Sequence, residues 1–164
     1  MSTMPEQKPG RSKQDYGTPK VFLDAVKMRL GIEEFDIDLA ADEHNRVSDC
    51  YFDEAMNGLK QDWYGFNGWN WLNPPFSHIA PWVERAYTQA VKHNVHTAVL
   101  IPAGVGSNWW RDWADRKANI LLLNGRITFV GCEDPYPKDC ALLLYPGRLC
   151  KDMGMQYRVW SWTK

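Results

Sequence analysis

The sequence predicts an α/β sandwich with a largely parallel sheet, and three observations carry that expectation. Short apolar runs of strand character alternate with runs whose apolar residues repeat at helical spacing. Two of the apolar runs, 69–72 and 97–101, are closed off by prolines, which have no N–H to give to a strand ladder. Before residue 63, short strand-like runs end in acids, so several polar groups should line one edge of the sheet. Open α/β sheets bind ligands outside the carboxyl ends of their strands.

With 164 residues, 45% of them hydrophobic, the chain is expected to form one domain around a single core. Residues 1–14 read as a polar, disordered tail without the apolar centre of a secretory signal. No apolar run reaches the length of a membrane span, so a soluble, cytoplasmic protein is expected, with no membrane partner. The net charge of −1 offers no global sign of nucleic-acid binding. Lys8, Arg11, Lys13 and Lys20 form one basic patch and Arg148, Lys151, Arg158 and Lys164 another; on charge alone both read as solvated termini. Cys50, Cys132, Cys140 and Cys150 show neither zinc-ligand spacing nor a disulfide framework, and are read as free, mostly buried thiols. The P-loop and the dinucleotide glycine fingerprint are both absent, which argues against ATP and NAD.

Taken in order, Thr18 and Pro19 suit the cap and first residue of a helix carrying Phe22, Leu23, Val26 and Leu30 and ended by Gly31. Residues 35–41 alternate like a short strand in which Asp38 is followed by Ala40 and Ala41, small enough for backbone to approach a ligand. Residues 49–54 form a second strand ending in Asp53 and Glu54, and 59–63 a third, with Asp62 near its end. A helix is expected from 79 to 93, then a buried strand at 97–102. Ser107 would cap a tryptophan-rich helix with Trp109, Trp110 and Trp113, at least two of which are assigned to the core. Strands at 120–123, 127–130 and 140–145 complete the pattern, with a turn at Gly125 and Arg126. Arg126 is read either as a phosphate contact or as one half of a structural ion pair.

The most informative stretch is Trp69-Asn70-Trp71-Leu72-Asn73-Pro74-Pro75-Phe76. An apolar strand must stop at Asn73, and the two prolines then make a stiff turn. Average residue usage produces Asn-Pro-Pro-aromatic by chance in roughly one chain of this length in several hundred. The turn aims the Asn73 side-chain oxygen and the Pro74 carbonyl, two acceptors that match the two hydrogens of a ring-conjugated amine. Accepting both draws the nitrogen lone pair out of conjugation and towards an electrophile. Phe76 offers a flat face on which a heterocycle can stack for roughly 1–3 kcal/mol.

These stretches, in this order, resemble the small bacteriophage-type DNA adenine-N6 methyltransferases from about Tyr16 to Tyr145. Tyr16-Gly17-Thr18-Pro19 is similar to that family's aromatic-x-Thr-Pro opening, Asp38-Leu39-Ala40-Ala41 to its Asp-x-Ala-Ala motif, and 59–63 to its Leu-x-x-Asp-Trp segment. Asn73-Pro74-Pro75-Phe76 resembles its catalytic motif, and Gly125-Arg126-Ile127-Thr128-Phe129 its Gly-Arg-Ile-x-Phe segment. The resemblance implies a Rossmann-like S-adenosylmethionine-dependent methyltransferase fold, a mostly parallel central sheet with helices on both faces. The domain would span 15–147, with 148–164 as a C-terminal extension. It implies S-adenosylmethionine as cofactor, no metal, and double-stranded DNA as partner, with the target adenine flipped out. Asn73, Pro74, Pro75 and Phe76 would be catalytic. Thr18 and Pro19 would border the methionine part of the cofactor, with Asp38 and Ala40 below it; Asp53, or alternatively Glu54, would hold the ribose, and Asp62 the adenine amine. Cytosine N4, an RNA adenine or a protein glutamine would present a similar planar amine, and a catalytically silent nucleic-acid-binding module of the same fold is a rival of another class. The ten residues 63–72 between Asp62 and Asn73 leave no room for a target-recognition domain. Base reading is therefore expected from 104–107, from 132–139, from the tails or from a second subunit, and recognition is expected to be short or relaxed.

Overall fold

A computed structural model describes residues 16–151 and 156–164. The expected polar tail at 1–14, with Lys8, Arg11 and Lys13, lies outside the described residues. The first helix, α1 (Lys20–Leu30), buries Phe22, Leu23 and Val26. It ends at Gly31, whose φ of 69° is the left-handed conformation that favours glycine. Pro19, not Thr18, occupies the N-cap position, and no side chain caps the helix. Thr18 is instead drawn into a tertiary hydrogen bond, described below.

The sheet contains β1 (Trp69–Leu72), β2 (His96–Pro102), β3 (Asn119–Asn124), β4 (Cys140–Pro146) and β5 (Tyr157–Ser161), in the order β1-β2-β4-β3-β5. It is a mixed sheet. β1 with β2 and β3 with β5 pair in parallel, whereas β4 pairs antiparallel with both β2 and β3. Four strands therefore share one direction and β4 alone is reversed. The connections explain this. A parallel neighbour needs a long crossover, which α2 (Ala80–His93) supplies between β1 and β2. Residues 125–139, between β3 and β4, contain no helix, so the chain turns back beside β3.

The acid-bearing runs extend this sheet as partial strands. Asp38 bridges in parallel to Trp71 on one side and to Tyr51 on the other. Backbone hydrogen bonds Leu39 N–H to Trp71 O (2.9 Å) and Phe52 N–H to Asp38 O (2.9 Å) stitch the three segments together. The expected strand at 59–63 is replaced by a 3-10 turn, Gly58–Lys60, because Asn57 adopts φ 54° and its side chain accepts from Leu59 N–H. Residues 127–130 are not a strand either; one antiparallel bridge joins Val130 to Gly17.

Alternate residues of the strands enter two separate clusters, as the two-residue period of a pleated sheet requires. Trp71, Ala98, Leu100, Leu121 and Leu142 join Phe22, Leu23 and Val26 of α1. Leu72, Val99, Ile101, Leu143 and Tyr145 join Trp82, Val83, Ala86 and Ala90 of α2. Because both strand faces are covered, β2 and β4 read as unbroken apolar runs. Trp110 is buried in the second cluster, and Trp109 and Trp113 pack half-buried against it. Of the cysteines, Cys140 and Cys150 are buried and Cys50 is exposed. No helix among the described residues is long and apolar enough to cross a membrane.

Gly58 locks the 3-10 turn onto the Asp38 loop. A Cβ there would run into the Leu39 carbonyl and the ring of Trp82. Gly58→Ala is therefore expected to destabilise the fold by about 1–3 kcal/mol, the usual cost of overpacking. Thermal unfolding followed by circular dichroism measures it, and an unchanged midpoint would show that the turn is free to shift.

Candidate active site

β1 delivers Asn73 to the carboxyl edge of the sheet, where Pro74 and Pro75 end the ladder. The turn closes with a hydrogen bond from His78 N–H to the Pro75 carbonyl at 3.1 Å, and α2 follows. Asn73 Nδ2 donates to the Tyr16 carbonyl and to Thr18 Oγ1, both at 3.3 Å. A carbonyl can only accept, so the amide nitrogen must face Tyr16 and the orientation of the amide is set by chemistry. That leaves Oδ1 without a hydrogen-bond donor among the described residues. The carbonyl of buried Pro74 likewise accepts no backbone hydrogen bond among the described residues. Among the described residues the site therefore presents two unfilled acceptors on adjacent residues of a rigid turn.

Phe76 is half-buried within an aromatic wall. Its ring centroid lies 5.9 Å from that of Phe129 and 5.4 Å from that of Tyr136, both edge-on, and Tyr16 packs on Phe129 at 5.6 Å. Partial burial raises the pKa of the Tyr136 phenol, keeping it a neutral wall element. A cavity of about 490 Å³ opens beside Phe76, bordered by Gly104, Ser107, Trp109, Arg126 and Tyr136. The segments 104–107 and 132–139, both named as candidate base readers, thus meet at one cavity. Arg126 is exposed and pairs with Asp139, Nε to Oδ1 at 3.3 Å, so the ion-pair reading of Arg126 is present at the rim of this same cavity.

Asp38 is 2% exposed. Its Oδ1 accepts from Ala40 N–H at 3.3 Å and its Oδ2 from Val47 N–H at 3.1 Å, so the carboxylate holds the loop that follows its own strand. Burial pushes the Asp38 carboxyl up to about 7, outweighing the two N–H groups that lower it. With Asp38 level with Trp71 and with Tyr51, continuing each parallel register by two residues brings Ala40 and Asp53 level with Asn73. Asp53 is half-buried and accepts from Met56 N–H at 2.8 Å, while Glu54 is exposed. Pro19 contributes its carbonyl to the start of α1, accepting from Phe22 and Leu23 N–H.

The structure thus gathers Thr18, Ala40, Asp53 and the 73–76 turn along one edge. Asp62 is exposed, and its carboxylate accepts from the Tyr64 hydroxyl at 3.1 Å. The sequence reading missed Tyr136 and Val47. Tyr136 had a signal, an aromatic held between Pro135 and Pro137 in a polar loop. The Val47 N–H had none, since a backbone donor has no residue type.

A family model described as DNA N-6-adenine-methyltransferase (Dam) matches residues 6–141. Over 123 residues the chain is 37% identical to a DNA N-6-adenine-methyltransferase of Haemophilus phage HP1 (strain HP1c1), a match covering 74% of this chain and 69% of that protein. Over 113 residues it is 31% identical to a DNA N-6-adenine-methyltransferase of Escherichia phage T1, covering 69% of this chain. That match spans 46%, just under half, of the phage T1 protein. The family match includes the partial strand of Asp38, the proline turn and the aromatic wall around Phe76, and the chain therefore belongs to the DNA N-6-adenine-methyltransferase (Dam) family.

Proposed function

We propose that this chain is a DNA methyltransferase that moves the methyl group of S-adenosylmethionine to the N6 amine of an adenine flipped out of double-stranded DNA. The single observation that carries the reading is the pair of acceptors left unfilled among the described residues, Asn73 Oδ1 and the Pro74 carbonyl, on the turn that ends in Phe76. The domain, expected at 15–147, takes in β5 as well, because that strand pairs with β3 along its whole length; it is of Rossmann-like methyltransferase type with helices on both faces of the sheet. Four co-directional strands, one reversed strand and separate clusters for α1 and α2 support that fold reading.

The residues along the edge suit the cofactor. Ala40 is small where close approach is needed, Asp38 is a buried acid able to face an ammonium group, and Asp53 is level with both Ala40 and Asn73. Thr18, Pro19, Asp38 and Ala40 would hold the methionine part, Asp53 or Glu54 the ribose, and Asp62 the adenine amine. When bound, the cofactor supplies a methyl carried on a sulfonium, whose sulfur takes the electron pair as the methyl leaves. Phe76 stacks on the target adenine, which leaves the duplex stack at a cost of a few kcal/mol. Asn73 Oδ1 and the Pro74 carbonyl each accept one N6 hydrogen. They localise the nitrogen lone pair and hold it in line with the donor, and this positioning supplies much of the rate. Thr18 and the Tyr16 carbonyl keep Asn73 in that pose. The extra proton leaves N6 for water once the new N–C bond has formed.

Long-read sequencing of plasmid from cells expressing the protein reports modified base, position and motif together. N6-methyladenine in a short or relaxed context is the expected outcome. N4-methylcytosine, or DNA left unmodified, would overturn the assignment of the substrate.

A further inference from the structure

Between β2 and the π-helical turn Trp110–Ala114, the chain makes a tight loop with one apolar residue at its tip. Val105 is 66% exposed and stands between Gly104 and Gly106. The loop is well braced. Gly104 N–H donates to the Pro102 carbonyl (2.8 Å), Val105 N–H to the Ala103 carbonyl (2.9 Å) and Ser107 N–H to the Gly104 carbonyl (2.9 Å). Ala103 N–H, in turn, is tied to the Asp139 carbonyl at 2.9 Å. Gly104 is seated so closely on Trp109 that an added Cβ would lie 2.8 Å from its Cζ2, so the tip is propped against a ring. The exposure of Val105 is therefore a property of an ordered turn.

A single exposed valine is ordinary on a protein surface; what distinguishes Val105 is where it stands. Its neighbours Gly104 and Ser107 border the cavity shared by Phe76, Arg126 and Lys138. Val130, also exposed beside the aromatic wall, is held by its backbone in an antiparallel bridge, its N–H donating to the Gly17 carbonyl at 2.9 Å. A β-branched side chain has few rotamers to lose. Many proteins that kink DNA insert an apolar wedge between base steps and read the groove beside it with basic or amide side chains.

We propose that Val105 is the wedge that enters the duplex stack and fills the space left by the target adenine, while Arg126 and Lys138 face the neighbouring phosphates. This rests on the methyltransferase reading, and it makes Val105 a positioning residue that never touches the reacting atoms. Its contribution should then depend on how hard the adenine is to extract.

The test compares two duplex oligonucleotides built around a methylated site found by plasmid sequencing. One is fully paired and the other carries an abasic sugar opposite the target adenine. Val105→Ala should slow methylation of the paired duplex about tenfold or more and that of the abasic duplex less than twofold, and Val105→Leu should restore the paired rate. Equal slowing on both duplexes, or no slowing on either, would overturn the wedge. Failure of the wild-type protein to methylate either duplex would overturn the methyltransferase reading, and the wedge with it.

Discussion

Replacing Asn73 by alanine is expected to cut methyl transfer by roughly a hundred- to a thousandfold, the scale seen when one preorganised hydrogen-bonding group is removed from where charge develops. Cofactor binding should be almost unchanged. The reason is the division of labour within one amide. Nδ2 is spent on the Tyr16 carbonyl and Thr18 Oγ1, and Oδ1 is left over for a substrate. Alanine removes both halves, so the protein also loses two neutral hydrogen bonds at about 1 kcal/mol each. That is small enough for the variant to stay folded. Calorimetry with S-adenosylmethionine and a tritium-methyl assay on DNA separate the two effects. Parallel loss of binding and transfer would remove Asn73 from the catalytic role and return it to a structural one.

The second large effect concerns pH and Asp38. Its carboxyl, raised by burial to about 7, binds a proton more tightly in the folded chain than in the unfolded one. The sign follows directly. The stabilising contribution of the protonated group is fully present below the ordinary carboxylate range and is lost as pH rises towards 7. Over that window the loss amounts to about 4 kcal/mol at most, at 1.36 kcal/mol per pKa unit. A cofactor ammonium beside Asp38 acts in the opposite direction, because it favours the ionised form. S-adenosylmethionine affinity should therefore rise with pH up to about 7, by as much as about tenfold per unit, with a proton released on binding. Asp38→Asn keeps one acceptor for the Ala40 and Val47 N–H groups and should flatten both pH profiles. Titration calorimetry from pH 6 to 8 in buffers of different ionisation enthalpy measures the released proton. An affinity flat across that range in the wild type would show that no cation sits beside Asp38.

Local chemistry explains what could be read in advance. The prolines after Leu72 and at Pro102 mark strand ends because a missing N–H is a property of the residue itself, and Gly31 marks the end of α1 for a similarly local reason. The helical spacing of Trp82, Val83, Ala86 and Ala90 likewise survives intact in α2. Strand direction is different. The apolar run 140–145 reads the same whichever way β4 runs, so its reversal between β2 and β3 is visible only in three dimensions. Thr18 shows tertiary structure overriding a local preference, since its hydroxyl is taken by Asn73, 55 residues away, instead of capping α1. Asp38 could be recognised as an acid at a strand end. That both of its oxygens would be absorbed by its own loop could not, because the Val47 N–H reaches it from nine residues on.

The most direct test of the account follows the label. Purified protein is incubated with methyl-tritiated S-adenosylmethionine and duplex DNA, the DNA is digested, and the nucleosides are separated. The account predicts that the label elutes with N6-methyldeoxyadenosine and is almost absent with Asn73→Ala. Label in N4-methyldeoxycytidine, or label in N6-methyldeoxyadenosine at equal rates with and without Asn73, would contradict it.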